Sequence, residues 1–262
     1  MVEGFLRRGW ARFACTPEVS DWAATAREAA LVAVADPVLR AEWLQCAGTW
    51  FVGVDALPNA ADGSLGGSGP LVGPGYEQAV ELYGRLPLHR GQVSVTYPGY
   101  PKPREGEGEG AARYRFRRDA AHVDGLLAIG PERRRMLKER HAYILGLPLT
   151  QTSAEASPLV VWEGSHEIMR GTFARALRHT PPERWGEVDL TEIYTYTRAQ
   201  VFEICRRVEL PARPGEATLV HRLALHGVAP WGAGAEAPEE GRMIAYFRPE
   251  LSGSDDGWLT LP

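Results

Sequence analysis

The feature that most constrains the fold is a succession of short apolar segments from residue 92 onward. Long, irregular connections rich in glycine and proline separate them. They lie at residues 92–97, 113–119, 141–149, 157–164, 208–210, 217–225 and 242–248. Many short strands with such connections are typical of a sandwich or jelly roll, not of alternating βαβ units. The sequence therefore predicts a mainly β core over about residues 90–250.

Helical patterns flank this core. Residues 18–47 carry apolar side chains near helical spacing, with a break at Asp36-Pro37 that predicts two consecutive helices. Further helices are predicted at 76–86, 166–178 and 191–207, and a strand at 49–55. Since there is no internal repeat and no shift in composition, we expect residues 1–262 to form a single domain, with the N-terminal helices packed on the β core.

Charge and hydropathy exclude several classes of function. The formal net charge of −4 argues against a general nucleic-acid binder, which would usually be basic. The N-terminus lacks the apolar run of a secretory signal, and no segment is long and apolar enough for a membrane span. Three cysteines without metal-site spacing are typical of free thiols. We therefore expect a cytoplasmic protein.

Two long loops rich in glycine and glutamate stand out, at residues 101–112 and 229–241. Segments of this composition bury little apolar surface, so one interpretation is that both loops are solvent-exposed connections. Long loops in compact domains are also often functional, so lids over an active site are the other.

His122 and Asp124 form the first candidate site. Two residues apart on an extended segment, their side chains point to the same side. An imidazole and a carboxylate together suit a divalent metal ion. A surface histidine beside an aspartate in a turn is the alternative explanation of this pair.

His221 and His226 lie in the predicted strand that begins at residue 217 and its continuation. Five residues apart on one strand, they would point to opposite faces, so only one can join His122 and Asp124. His226 is favoured because it follows an apolar run and precedes Gly227, where the strand can turn. His221 is the alternative ligand.

Arg242 opens the last predicted strand, sixteen residues after His226. An arginine at the mouth of a buried strand needs a carboxylate partner. That partner is either a ligand or an acidic side chain in a structural ion pair.

Taken in order, these residues resemble the phytanoyl-CoA dioxygenase-like family of Fe(II)- and 2-oxoglutarate-dependent oxygenases. The similarity runs over about residues 90–250 and includes segments 91–101, 157–166 and 210–227. It implies a double-stranded β-helix, the jelly-roll or cupin-like core, with helices outside. The loop at 229–241 is longer than in many relatives, and Val228 stands where relatives often carry a serine.

The resemblance also implies a set of roles. His122, Asp124 and His226 take the places of the iron ligands, and Arg242 takes the place that grips the distal carboxylate of 2-oxoglutarate. The cofactors implied are Fe(II), 2-oxoglutarate as cosubstrate and dioxygen, with succinate and CO₂ released as a small molecule is hydroxylated or otherwise oxidised.

Three more polar residues could complete the cosubstrate site that the resemblance implies: Gln92, Thr96 and Tyr246. Polar residues on strands usually just satisfy local partners, which is the alternative for each of them.

The substrate is constrained only by charge. Arg113, Arg115 and Arg117 would share one face of a strand leading to His122 and could hold an anionic small molecule, or else form a solvated face. Two other functions compete with the oxygenase: a cupin-type metal enzyme that does not use 2-oxoglutarate, and a non-catalytic jelly-roll binding protein. The first would not need Arg242, and the second would not need three convergent metal ligands. No feature of the sequence sets the oligomeric state.

Overall fold

The strands form two facing antiparallel sheets in the computed structural model, which describes residues 2–251, 253 and 256–262. The larger sheet has seven strands: β1 (Trp10–Phe13), β2 (Leu44–Gln45), β3 (Trp50–Phe51), β4 (Gln92–Thr96), β7 (Tyr143–Pro148), β10 (Ala217–His221) and β12 (Arg242–Phe247). The smaller sheet has three: β8 (Leu159–Trp162), β9 (Arg207–Leu210) and β11 (His226–Val228). A separate hairpin pairs β5 (Leu126–Ile129) with β6 (Arg134–Leu137).

The order of the large sheet is β1-β10-β7-β12-β4-β3-β2, and that of the small sheet is β11-β8-β9. Apart from β2 and β3, which a short turn joins, neighbouring strands are distant in sequence, as in a jelly roll. The two sheets face each other across a buried apolar cluster that includes Ile144, Val161, Leu210 and Val220. This arrangement leaves the inner faces of β4 and β12 directed toward the small sheet.

Helices cover the outer faces of both sheets. The helices are α1 (Val2–Arg8), α2 (Pro17–Ala35), α3 (Pro37–Trp43), α4 (Pro74–Tyr83), α5 (Glu109–Arg117), α6 (Ser165–Leu177), α7 (Thr191–Ile204) and α8 (Gly257–Thr260), with a 3₁₀ turn at Pro182–Glu187. Helices α2 and α4 pack on the large sheet, and α6 and α7 on the small one. None of the described helices combines the length and apolar character needed to cross a membrane.

The helix break at Asp36 follows from capping. Asp36 ends α2, and its Oδ1 accepts hydrogen bonds from the backbone N–H groups of Val38 and Leu39 at the start of α3, at 2.8 and 3.0 Å. A carboxylate that satisfies two free N–H groups, followed by Pro37, is a strong helix start. The predicted pair of N-terminal helices is therefore confirmed.

One predicted strand is wrong. Residues 113–119 do not form a strand; they belong largely to helix α5. The alternation of arginine with tyrosine and phenylalanine imitates a strand, but alanine, glutamate and arginine around it are good helix formers. In addition, no strand of the described residues lies alongside to pair with it. The helix begins at Glu109, so part of the 101–112 loop is helical too.

The predicted strand 217–225 is also too long. Strand β10 ends at His221 in the large sheet, and His226 begins β11 in the small sheet. Between them the chain turns, with the Ala224 N–H donating to the His221 carbonyl at 2.8 Å. The alternation argument that set His221 against His226 therefore had a wrong premise, because the two residues occupy different strands.

Candidate metal centre

Three side chains converge at one end of the small sheet. His122 and Asp124 lie in the segment that follows α5, and His226 is the first residue of β11. Their potential ligand atoms all lie within 4.8 Å of one another. Nε2 of His122 is 3.0 Å from one carboxylate oxygen of Asp124, and Nε2 of His226 is 3.8 Å from the other. Asp124 and His226 are buried, whereas the His122 side chain is 47% exposed and opens the centre to solvent.

Backbone pairing brings the two histidines together. The N–H of His122 donates to the carbonyl of His226 at 2.8 Å, and the N–H of His226 donates back at 3.0 Å. The two residues are thus directly opposite each other in an isolated antiparallel bridge. Directly opposed side chains project from the same face, which places the ring centroids 4.7 Å apart.

The hydrogen bonds of the imidazoles fix their tautomers. Nδ1 of His122 lies 3.0 Å from the carbonyl oxygen of Ala120, and Nδ1 of His226 lies 2.9 Å from that of Ala224. A carbonyl oxygen only accepts, so Nδ1 carries the proton in both rings. The Nε2 atoms of both rings are directed toward Asp124. Nε2 of the neutral His226 keeps its lone pair, whereas burial alone would lower the pKa of His122 but its hydrogen bond to Asp124 raises it and favours a proton on Nε2, which a bound metal ion would replace.

The protonation states also suit a cation. Burial lowers the pKa of His226 to about 4, so its imidazole is neutral at physiological pH. Burial alone would raise the pKa of Asp124, but the charge of Arg248 and the two histidines hold it well below its usual value. Two imidazoles and an ionised carboxylate are a donor set that could hold a divalent metal ion and would leave it further positions for other ligands.

The backbone around the ligands is held by aromatic side chains. The Val123 N–H donates to the hydroxyl of Tyr194 at 3.0 Å, and the Tyr114 hydroxyl donates to the Ala121 carbonyl at 2.7 Å. These bonds anchor the ligand-bearing segment on both sides of His122. Sequence reasoning did not find either tyrosine, because no pattern marks a side chain that acts on a distant backbone group.

An inner cavity of about 170 Å³ borders the three ligands. Its wall is mostly apolar and includes Ile144, Leu159 and Val220. Two of the residues predicted to complete a cosubstrate site, Gln92 and Tyr246, line this cavity. The three residues that could hold a metal ion therefore lie beside a small, largely apolar cavity.

Arg242 and Thr96 lie elsewhere. They pair across β12 and β4, and Arg242 lines a small recess that shares Leu159 and Tyr246 with the inner cavity. Both are buried, and Nη1 of Arg242 and Oγ1 of Thr96 have no hydrogen-bond partner among the described residues. The structure shows no ion pair of Arg242 within the described part of the chain, so the structural ion-pair explanation finds no support.

Arg248 is the arginine that lines the inner cavity beside the candidate metal ligands. Its Nη1 is 3.6 Å from Asp124 Oδ2. It follows β12 with the same parity as Arg242 and Tyr246, so the period-two alternation of a strand could have indicated that it faces the same side.

An outer cavity of about 710 Å³ opens from the metal ligands to the surface. Its wall comes from residues 104–115, the segment 120–128, the β5–β6 hairpin and helix α7. The 101–112 loop thus borders the site, while no residue of the 229–241 loop lines either cavity. Arg115 also lines the outer cavity, but Arg113 and Arg117 are exposed and do not.

Fold and site together define a jelly-roll protein with a two-histidine, one-carboxylate centre that can hold a metal ion. The chain matches no protein-family model and no curated protein sequence. Solved structures share its fold. AviO1 from Streptomyces viridochromogenes Tue57 superposes with a TM-score of 0.52 at 14% identity, over 96% of this chain and 94% of that one.

Two further structures have the same fold. The apoform of EctD from S. alaskensis gives a TM-score of 0.50 at 17% identity, over 95% of this chain and 75% of that one. EvdMO1 gives a TM-score of 0.50 at 13% identity, over 95% of this chain and 49% of that one. The predicted double-stranded β-helix with flanking helices is confirmed.

Proposed function

We propose that this chain, as a single domain, is an Fe(II)- and 2-oxoglutarate-dependent oxygenase that oxidises a small molecule. The observation that carries the proposal is the convergence of His122, Asp124 and His226 beside a largely apolar cavity. Two imidazoles and one carboxylate with open positions are the ligand set of non-haem Fe(II) oxygenases. The neutral state of His226 and the ionised state of Asp124 suit Fe(II), and its binding would displace the proton that Asp124 favours on Nε2 of His122.

The solved structures support the same proposal by analogy of fold. EctD from S. alaskensis has been crystallised with bound Fe, and also with 2-oxoglutarate and 5-hydroxyectoine. Because one fold can host many activities, the analogy adds to the ligand geometry and does not replace it.

Buried polar groups without partners fit a dicarboxylate cosubstrate. A guanidinium buried without a partner is costly, and a carboxylate satisfies it with paired hydrogen bonds. Nη1 of Arg242 and Oγ1 of Thr96 are buried polar atoms without a hydrogen-bond partner. On the same two strands, Gln92 and Tyr246 lie between this pair and the candidate metal ligands. We therefore assign the distal carboxylate of 2-oxoglutarate to Arg242 and Thr96.

Bound iron and 2-oxoglutarate would supply the oxidation: dioxygen would be consumed, 2-oxoglutarate would become succinate and CO₂, and the substrate would be hydroxylated or otherwise oxidised. The chain's own residues bind and orient. Val52, Ile144 and Val220 exclude water from the inner cavity, and the Nδ1–H groups of the histidines keep their Nε2 atoms aimed at the metal.

A metal enzyme that does not use 2-oxoglutarate is the second candidate. The observation in its favour is that Arg242 lines a recess of its own and not the cavity beside the ligands. Against it, such an enzyme leaves the buried nitrogen of Arg242 without a function. A non-catalytic binding protein would have no use for the three converging ligands.

Anaerobic titration of the purified protein distinguishes these candidates. Adding Fe(II) and then 2-oxoglutarate should give the weak visible charge-transfer band of a chelated 2-oxo acid, and admitting air should convert 2-oxoglutarate to succinate. Asp124→Ala should abolish or greatly weaken the band. A folded, iron-loaded protein that shows neither the band nor succinate would exclude the oxygenase and favour the second candidate.

A further inference from the structure

The outer cavity carries an excess of positive charge. Six arginines line it, Arg104, Arg115, Arg133, Arg135, Arg198 and Arg248, against three carboxylates, Glu107, Asp124 and Glu139. The whole chain has a formal net charge of −4, so this surface has the opposite sign to the protein. Clefts lined by one sign of charge raise the local concentration of oppositely charged ligands and speed their association.

Most of these arginines lack an acidic partner. Arg115 pairs with Glu107, and Arg248 lies 3.6 Å from Asp124. The other four form no ion pair within the described part of the chain. Four arginines without ion pairs in one cleft repel one another and destabilise the folded state, so an anionic ligand accounts for their presence better than a solvated surface does.

Arg198 is held in place for recognition. Its guanidinium lies 4.6 Å from the ring centroid of Tyr114 and 5.1 Å from that of Tyr194. These cation–π contacts hold the guanidinium in place, and its fork of several N–H donors can still bind a planar anion. Because these same two tyrosines anchor the backbone beside His122, a ligand on Arg198 is brought close to the metal ligands.

Arg135 faces the same cavity from strand β6. Its Nη1 donates to the Leu126 carbonyl at 3.2 Å, two residues after Asp124, and its backbone N–H donates to Oγ1 of Thr191 at the start of α7. It is therefore fixed to the metal-bearing segment and to the helix that carries Arg198. Arg104 stands at the rim over the Trp50 ring, with 5.8 Å from its guanidinium to the ring centroid, and Arg133 is exposed.

We propose that the outer cavity binds an anionic small molecule through a carboxylate or phosphate group held by Arg135 and Arg198. Its volume of about 710 Å³ lies within the ~300–1,000 Å³ of small-molecule sites, whereas the inner cavity of about 170 Å³ is smaller. We take this molecule to be the substrate, and that step alone rests on the proposed function; the anion binding itself does not. The anionic group anchors the molecule at the arginines, and its apolar part extends toward the metal ligands.

The test measures anion binding to the metal-free protein by calorimetry at low ionic strength. The probes are phenyl phosphate, benzoate and the neutral benzamide. At least one of the two anions should bind and benzamide should not; the tighter anion identifies phosphate or carboxylate as the preferred group. The double variant R135Q/R198Q should bind the preferred anion at least tenfold more weakly.

The matched control is R113Q/R117Q, which removes the same charge from two exposed arginines on the neighbouring helix, outside the cavity wall. Its affinity should stay within twofold of the wild-type value. Equal losses in both double variants, equal binding of benzamide, or no binding of either anion would overturn the proposal.

Two further measurements keep the test decisive. If R135Q/R198Q does not fold, phenylglyoxal labelling of arginines in the wild-type protein takes its place. The bound anion should protect Arg135 and Arg198 from the reagent and leave Arg113 and Arg117 reactive. Equal labelling of all four would overturn the proposal. Titration of the iron-loaded wild type with 2-oxoglutarate separates the two proposals. An intact anion site in a protein that takes no 2-oxoglutarate leaves this inference standing and removes the oxygenase.

Discussion

Arg207 holds Asp119 through two parallel hydrogen bonds, from Nε to Oδ2 at 2.7 Å and from Nη2 to Oδ1 at 2.9 Å. Arg207 opens β9 in the small sheet, and Asp119 lies three residues before His122. The carbonyl of Asp119 also accepts a hydrogen bond from the N–H of Val228 in β11 at 2.9 Å. One residue thus ties the ligand-bearing segment to both edges of the small sheet.

Replacing Arg207 with methionine should lower the free energy of unfolding by about 2 kcal/mol. This value lies between the cost of breaking an exposed ion pair, about 0–1 kcal/mol, and that of breaking a buried one, about 3–5 kcal/mol. The side chain of Asp119 is only 4% exposed, so removal of its partner leaves a buried charge, although 39% exposure of Arg207 lets water reduce the penalty. Urea unfolding measures the change. Arg206→Met, which alters an exposed neighbour, is the control and should change the free energy of unfolding little.

Gly227 is required by a close approach between backbones. A Cβ at this position would lie 2.1 Å from the Asp119 carbonyl oxygen and 3.2 Å from Cα of Ala121. Gly227→Ala should therefore force β11 away from the segment that carries His122, cost about 1–3 kcal/mol as overpacking does, and weaken metal binding at least tenfold. Unfolding curves and metal titration together measure both effects.

Gly171→Ala is the matched control for that substitution. It lies within α6, where the nearest atom to an added Cβ is the flexible end of Arg175, 3.7 Å away. Alanine should stabilise this helix by about 0.5–1 kcal/mol and leave metal binding unchanged. A Gly227→Ala protein as stable as Gly171→Ala and with wild-type metal affinity would show that the two backbones can separate without cost.

The β core and most of the helices could be predicted because their signals are local. Strands β4, β7, β8 and β12 and helices α2, α6 and α7 lie within a few residues of their predicted places. Alternation and apolar runs mark such elements wherever they pair. The three residues that converge at the candidate metal centre could be proposed as a set through their resemblance to a known oxygenase family, because spacing alone left His221 as an alternative to His226.

Other elements depend on contacts that a sequence does not display. Strand β1 is an edge strand defined only by its pairing with β10, and the β5–β6 hairpin lies outside both main sheets. Helix α5 carries a strand-like alternation. The turn at residues 222–225 ends in the buried apolar run 223–225, which resembles a strand in the sequence. In each case tertiary contacts override the local pattern.

The metal ligands can be tested one at a time. Asp124→Ala and His226→Ala should each weaken Fe(II) binding by more than the ~10–100-fold that loss of a supporting residue costs, because each removes a ligand itself. Anaerobic equilibrium dialysis gives the dissociation constants. His179→Ala, at an exposed histidine far in sequence from the centre, should bind as the wild type does. Wild-type affinity in both ligand variants would remove this set of ligands.

Arg242 and Arg248 can be separated by what each affects. Loss of a buried partner costs a carboxylate about 3–5 kcal/mol, so Arg242→Ala should weaken 2-oxoglutarate binding by about two orders of magnitude or more and leave Fe(II) affinity close to normal. In contrast to Arg242→Ala, Arg248→Ala should alter the affinity for Fe(II), because the Arg248 guanidinium lies 3.6 Å from the carboxylate of Asp124. If only Arg248→Ala weakens 2-oxoglutarate binding, the carboxylate is held beside the metal and not in the recess of Arg242.

Stability should fall as the pH drops below about 6.5, because of a buried histidine pair on the opposite side of β10 from the metal. His166 and His221 have ring centroids 4.8 Å apart, beside Arg170 and the buried Arg222. Burial, and then the charge of Arg222, holds the pKa of His221 well below its usual value, and burial lowers that of His166. In addition, Nδ1 of His221 accepts a hydrogen bond from the Leu223 N–H at 3.0 Å, so a proton there would face a donor.

A histidine with a lowered pKa in the folded state takes up its proton first in the unfolded chain. Below the unfolded pKa of about 6.5, protonation therefore favours unfolding, by up to about 1.4 kcal/mol per pH unit for each such histidine. The contribution is fully present above that pH and is lost as the pH falls toward the folded value. His221→Gln should flatten the dependence of the unfolding free energy on pH between 6.5 and 5 by about one proton, as measured by urea unfolding across that range. His179→Gln should leave the slope unchanged, and a slope in His221→Gln as steep as in the wild type would assign the acid sensitivity to other groups.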